Sequence, residues 1–195
     1  MSGEQDLQSR LGSIDRAERF YRDQVLDRLN ARMVAFVART EMAFIATSDR
    51  AGACDASFRA GPPGFLHVID EHTIAYPEYR GNGVCASMGN IDENPHIAIL
   101  LIDFVRDLIG LHINGTARLV DDETLRSQVR NLPPVTMPGR APELWVLVTV
   151  EQAYIHCRKH IPRMVYVTRE RLWGSDDIGT KGGDYFGAKN DGCAR

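Results

Sequence analysis

Apolar residues recur along this chain of 195 residues in two different rhythms. From Ile14 to Arg39 they return every three to five positions, at Phe20, Val25, Leu29, Met33, Phe36 and Val37, which predicts helix in one or two pieces. Ser13 stands where it can cap the start, and Asp15 and Glu18 lie near the helix's positive end. That stretch reads as scaffold, a surface helix laying its apolar stripe on something else, and residues 1–12 before it are polar. Beyond residue 40 the rhythm shortens. Ala43–Ser48 and Cys54–Arg59 flank the turn Asp49-Arg50-Ala51-Gly52 and predict a hairpin. Phe65–Ile69 and Thr73–Tyr76 follow across Asp70-Glu71-His72. Val84–Glu93 predicts a short helix that Pro95 stops, because proline disfavours helical geometry in the residue before it. His96–Ile102 and Leu108–Val120 are long apolar strands, the second with Gly115 at a bend or bulge. Asp121–Asn131 predicts a charged helix, and the proline-rich Leu132–Pro142 a loop. Leu144–Val150, Ala153–Cys157 and Met164–Thr168 complete the β segments.

Many strands, hairpin-sized links and few helices predict a mainly β domain with peripheral α-helices, either an antiparallel barrel or a sandwich. One pattern points elsewhere. Gly81-x-Gly83-x-x-Ala86, with Asp103 after the next apolar strand, fits a relaxed dinucleotide fingerprint. That fingerprint needs its first glycine at the strand end, yet Pro77-Glu78-Tyr79-Arg80 intervene after Tyr76. The helix before Pro95 is also marginal for a parallel crossover, and the upstream links are hairpins. The dinucleotide reading is set aside.

Composition narrows the function. A hydrophobic share of 44% with 25% charged residues is that of an ordinary globular protein. A net charge of -3 excludes an all-over basic nucleic-acid binder, although not a local basic patch. Ile97–Ile102 is far too short to span a bilayer, and MSGEQDLQSR has no apolar core of a signal peptide, so a cytoplasmic protein without membrane or nucleic-acid partners is expected. Cys54, Cys85, Cys157 and Cys193 include no close pair and are expected as thiols.

The candidate chemistry sits at Arg80-Gly81-Asn82-Gly83. Two glycines and an arginine before a helical turn can offer backbone N–H groups and a paired-donor cation to a phosphate. Pro62-Pro63-Gly64-Phe65 only opens a neighbouring strand. His156, Cys157 and His160 suggest a metal cluster, but Ala153–Cys157 reads as strand and no third and fourth ligands are near, so no metal is expected. Trp173 and Tyr185-Phe186 read as packing of a C-terminal extension rather than as a lid, and Lys181-Gly182-Gly183 as a loop.

Taken together, Phe44-Ile45-Ala46-Thr47, Ser57-Phe58-Arg59, Pro63-Gly64-Phe65, Tyr76-Pro77, Arg80-Gly81-Asn82, Asn94-Pro95 and His156-Cys157-Arg158-Lys159 resemble, in order and spacing, a known family. It is the pyridoxamine 5'-phosphate oxidase-like FMN-binding split-barrel proteins, and within them an uncharacterised bacterial branch. The resemblance covers about residues 40–160. It implies a six-stranded antiparallel split β-barrel over residues 41–170, with a helical extension over 1–40 and a C-terminal extension over 171–195 packing on or near the site. It implies a homodimer with FMN at the subunit interface.

The resemblance lays Asp55, Ser57, Phe58 and Arg59 along the flavin, brings Tyr76 and Pro77 to its ring or ribityl chain, and sets Arg80, Gly81 and Asn82 at its phosphate. The late motif approaches the site, the partner subunit being one source, with His156 and Lys159 as contacts and Lys159 as the charge near ring position N1. Phe58 stands where the branch has proline, Ala60 where it has glycine, and Glu78-Tyr79-Arg80 where it has Asp-Arg-Pro. The tail beyond His160 lacks the Arg-x-His and Arg-Leu-x-Pro signatures of pyridoxamine 5'-phosphate oxidases proper. The expectation is an FMN-dependent oxidoreductase of an unknown small molecule, distinct from vitamin B6 oxidation. Its alternatives are a non-catalytic flavin-binding or redox-sensing protein, or a split barrel that uses the deazaflavin F420. No catalytic residue is singled out.

Overall fold

The computed structural model describes residues 3–135, 141–167 and 182–191. Helices α1 (Gly3–Arg10), α2 (Ile14–Gln24) and α3 (Ala31–Arg39) precede strands β1 (Met42–Ser48), β2 (Cys54–Ala60), β3 (His67–Asp70) and β4 (Thr73–Tyr79). Then come α4 (Ala86–Glu93), β5 (His96–Asp103), β6 (Ile109–Val120), α5 (Asp122–Gln128), β7 (Pro142–His156) and the short α6 (Ala188–Asp191).

The predicted helix from Ile14 to Arg39 is thus two, separated by an extended segment in which Leu26 bridges to Ala153. Ser13 precedes α2 without a side-chain capping bond, contrary to expectation, whereas Asn30 caps α3 by accepting from the N–H groups of Arg32 and Met33. The difference is backbone geometry. Asn30 has the extended conformation that points its side chain back at the first turn, and Ser13 does not.

All strand pairings are antiparallel, in one sheet of order β2-β1-β5-β6-β7-β4-β3. This corrects the six-stranded expectation: the sheet has seven strands, and no ladder between its edges β2 and β3 closes it among the described residues. It nevertheless curls, since Arg59 of β2 reaches Glu78 of β4, near the other edge. Leu144–Val150 and Ala153–Cys157, read as two strands, are one. Asn114 faces Gln152 and Gly115 faces Val150, so Glu151 is an extra residue accommodated by a bulge. The expected bulge at Gly115 is there, and glycine is required: a Cβ would collide with the Thr149 carbonyl. Residues 164–167 form no strand; Thr168 lies outside the described residues.

The core fills the concave side. Ile45, Ile99, Leu101, Ile113, Val146 and Val148 alternate inward from four strands, and α3 adds Val37. A smaller cluster of Val120, Leu125, Leu132 and Trp145 sits under α5. On the convex side, Phe58, Phe44, Leu100, His112 and Tyr154 form one cross-strand row from β2 to β7. Helix α2 covers the β7 end of that row, with Phe20 edge-on to Tyr154 at 5.9 Å. Its β2–β1 end is open, where Phe44 and Phe58 are 42% and 53% exposed.

Candidate functional site

The turn from Tyr79 into α4 lines one side of a cavity of about 870 Å³, and β2 lines the other. Helix α4 is fixed there by its own side chains. Ile91 is buried, Asn90 donates to Thr47 Oγ1 at 3.0 Å, and Asn94 donates to Ser48 Oγ at 2.9 Å. The entry to the helix is made by residues of left-handed conformation, Gly83 at φ +82° and Cys85 at φ +56°. Asn82 closes this entry by accepting from the Val84 N–H at 3.0 Å. Among the described residues, the N–H groups of Gly81, Asn82, Gly83 and Cys85 have no acceptor, and the Arg80 guanidinium has no ion-pair partner. A site for an anion is thereby laid out, exposed to solvent on one side.

Of the residues expected at the flavin, Asp55, Ser57, Phe58, Arg59, Pro77, Arg80, Gly81 and Asn82 all line this cavity. Three do not. Tyr76 is fully buried in the core because its side chain points inward between Ile74 and Glu78 along β4. Its hydroxyl has no partner among the described residues, and burial pushes its pKa well above the ordinary phenol value, with the Glu78 charge adding to that. His156 lies across the sheet, its Nδ1 3.0 Å from Nε2 of His112. Lys159 sits in a short basic turn, Arg158-Lys159-His160, closed by the Ile161 N–H donating to the Arg158 carbonyl at 3.1 Å, and its side chains form no hydrogen bond or ion pair among the described residues. Within one chain, then, the late motif does not reach the cavity.

Arg59, expected to serve a phosphate, is committed elsewhere. Its Nε donates to both carboxylate oxygens of Glu78 at 3.0 and 3.1 Å, and its Nη2 donates to Glu78 Oε1 at 2.8 Å. Nη1 donates to the Phe58 carbonyl. Glu78 is only 5% exposed, so this pair is the inner wall of the cavity and its charges cancel. Arg80 is the lining cation left to meet a ligand, opposite Asp55 and Glu143.

Several participants went unnoticed in the sequence. Ser87, 4% exposed, bonds Ser57 Oγ and Asp55 Oδ2, each at 3.0 Å. Its signal, a serine in the first turn of α4, is legible only once that turn is known to face β2. His112 could not be paired with His156 from spacing, since 44 residues separate them. It stacks on Tyr154 at 4.7 Å, and its pKa lies below the ordinary imidazole value through burial first and the neighbouring His156 second. Trp173 lies outside the described residues. Tyr185 and Phe186 meet edge to face and are 84% and 89% exposed.

The family model for pyridoxamine 5'-phosphate oxidase matches residues 29–157. The chain belongs to that family. The match spans all seven strands, α4 and the cavity between them. No curated protein matches the chain.

Among solved structures, a protein of Lactobacillus delbrueckii provisionally assigned as a pyridoxamine 5'-phosphate oxidase is 18% identical, with a TM-score of 0.50 over 67% of this chain and 98% of that one. Group A Streptococcus HupZ is 21% identical, with a TM-score of 0.47 over 64% of this chain and 91% of that one. The Mycobacterium tuberculosis protein Rv2991 is 18% identical, with a TM-score of 0.48 over 75% of this chain and 98% of that one. At such identities the likeness is one of fold. Among the described residues, no helix is long and apolar enough to cross a membrane.

Proposed function

We propose that the cavity binds FMN by its phosphate, and that the protein is a homodimeric FMN-dependent oxidoreductase of a small molecule. The observation that carries this reading is the turn itself. An arginine and four backbone N–H groups, unpaired among the described residues, lie together along one side of a cavity within the usual size range of ligand sites. The residues fit the group in kind: Arg80 and the amides of Gly81, Asn82, Gly83 and Cys85 for the phosphate, and the lining side chains of Phe65, Val84 and Met88 for a flat, largely apolar ring. When bound, the flavin would supply the electron transfer. The protein's part is to hold the phosphate, shield one ring face and keep Arg59 and Glu78 locked as a rigid wall.

The charge balance within one chain is short. Beside the neutralised pair, Arg80 faces Asp55 and Glu143, while a phosphate dianion needs a positive surplus. The basic turn at Arg158–His160 has no partner among the described residues, and the open Phe44–Phe58 patch is an apolar face that α2 leaves uncovered. A second copy seated on that patch, bringing Lys159 to the cavity of its neighbour, supplies the missing charge.

The test begins with the colour of the purified protein and its binding of FMN and riboflavin. Arg80→Ala is expected to weaken FMN by about tenfold to a hundredfold and riboflavin hardly at all. Equal losses for both would remove Arg80 from the phosphate. Protein that ignores FMN but takes up F420 would overturn the choice of flavin. Reduction of the bound flavin by NADH or NADPH, followed by reoxidation by oxygen or a quinone, separates an enzyme from a carrier.

A further inference from the structure

We infer that Asp55, Ser87 and Ser57 form a hydrogen-bond chain of fixed direction, so that Ser57 offers the cofactor only an acceptor and must be met by a cofactor hydrogen-bond donor. The inference rests on the reading of the cavity as a flavin site and concerns what one wall of it can recognise. Each hydroxyl has a single hydrogen to give. Asp55, as a carboxylate, can only accept, and the Ser87 hydroxyl donates to its Oδ2 at 3.0 Å. The hydrogen of Ser87 is thereby spent. Its 3.0 Å contact with Ser57 Oγ must then have Ser57 as donor, which spends the hydrogen of Ser57 as well. What Ser57 has left toward the cavity is lone pairs.

The direction is held by burial. Ser87 is only 4% exposed and sits in the first turn of α4, which Asn90 and Asn94 pin to β1, so water does not readily take its place. Each link also polarises the next, which makes Ser57 a stronger acceptor than an isolated serine. The consequence for a ligand is orientation. A phosphate oxygen, itself an acceptor, is repelled from this wall and directed toward Arg80, whereas an N–H or O–H group is drawn to it. FMN carries two kinds of donor, the imide N–H of its ring and the hydroxyls of its ribityl chain, and the chain of hydroxyls recognises either.

The test measures dissociation constants on the full-length protein for FMN, for 3-methyl-FMN, which lacks the imide hydrogen, and for deoxyribityl analogues of FMN that each lack one hydroxyl. Wild-type protein should bind one of these analogues about tenfold or more weaker than FMN, the penalty for leaving a charge-backed acceptor unmet. A loss with the methylated ring identifies the imide as the donor, and a loss with a deoxy analogue identifies that hydroxyl. Ser57→Ala should weaken FMN and abolish the discrimination. Ser87→Ala, which frees the hydrogen of Ser57, should also narrow it, with a cooperative thermal transition showing that the variant is folded. FMN binding that depends on Arg80 but is equally tight for every analogue would overturn the chain and leave the cavity reading standing. Failure of wild-type protein to bind FMN would overturn both.

Discussion

Arg59 and Arg80 show how much a single contact changes a residue's meaning. By sequence both are arginines beside a glycine-rich turn, and both qualify for a phosphate. Folding gives Arg59 to Glu78 through three N–H···O contacts and leaves Arg80 in solvent. The two should therefore separate in stability measurements. Glu78→Ala leaves the Arg59 charge partly buried and unpaired; with a quarter of the Arg59 side chain still in contact with water, the cost should fall below the usual range for broken buried pairs, at about 2–3 kcal/mol in urea unfolding. Arg80→Ala removes an exposed side chain with no partner among the described residues and should shift the urea midpoint negligibly. Comparable losses for both would contradict this division of labour. The commitment of Arg59 was not readable from spacing, because β2 and β4 meet only when the sheet curls.

At the scale of elements, the β5–β6 turn carries a built-in pH dependence. Asp103 ends β5 and accepts from the N–H groups of Val105, Arg106 and Asp107, while Arg39 of α3 donates to it at 3.3 Å. Burial alone would push this carboxyl up, but the three amides and Arg39 outweigh it and hold its pKa below the ordinary 3.8. A carboxyl whose pKa is depressed in the folded state stabilises the fold above its unfolded value, and that contribution is lost as pH falls through the folded one. Asp103→Asn should thus be less stable than wild type at neutral pH, and the gap should close under acid below the carboxylate range. Urea midpoints of both proteins measured across that range check it; a gap independent of pH would point to geometry instead of charge. The turn itself was only a break between two apolar runs in the sequence, and the tie from α3 to it could not be seen there.

The whole molecule is asymmetric in what it covers. Helix α2 shields the β7 end of the convex row, and nothing described shields Phe44 and Phe58, which meet edge to face at 5.5 Å. If a second copy seats there, Phe44→Glu should yield a monomer by sedimentation, with the monomer's fold intact because the side chain is already 42% exposed. The same variant should lose affinity for FMN, since the basic turn of the neighbour leaves with it. A wild-type monomer that holds FMN as tightly as the assembled protein would end the shared-site reading.

The sequence by itself determined the local elements and their order. Alternation over β1 and β2, the apolar runs of β5 and β6, the stop at Pro95 and the glycine at the bulge are written in neighbouring residues, where propensity and period act. It also placed the candidate anion turn, because glycine, asparagine and arginine carry that chemistry within four positions. Tertiary structure alone decided the rest. It joined Leu144–Val150 to Ala153–Cys157 across a bulge that only the facing strand defines, and it turned Tyr76 into the core. It paired Arg59 with Glu78 and His112 with His156, and it set Ser87 between Asp55 and Ser57. Each of these depends on which strands become neighbours and which way the sheet curls. Those are properties of long-range packing, which local pattern does not encode.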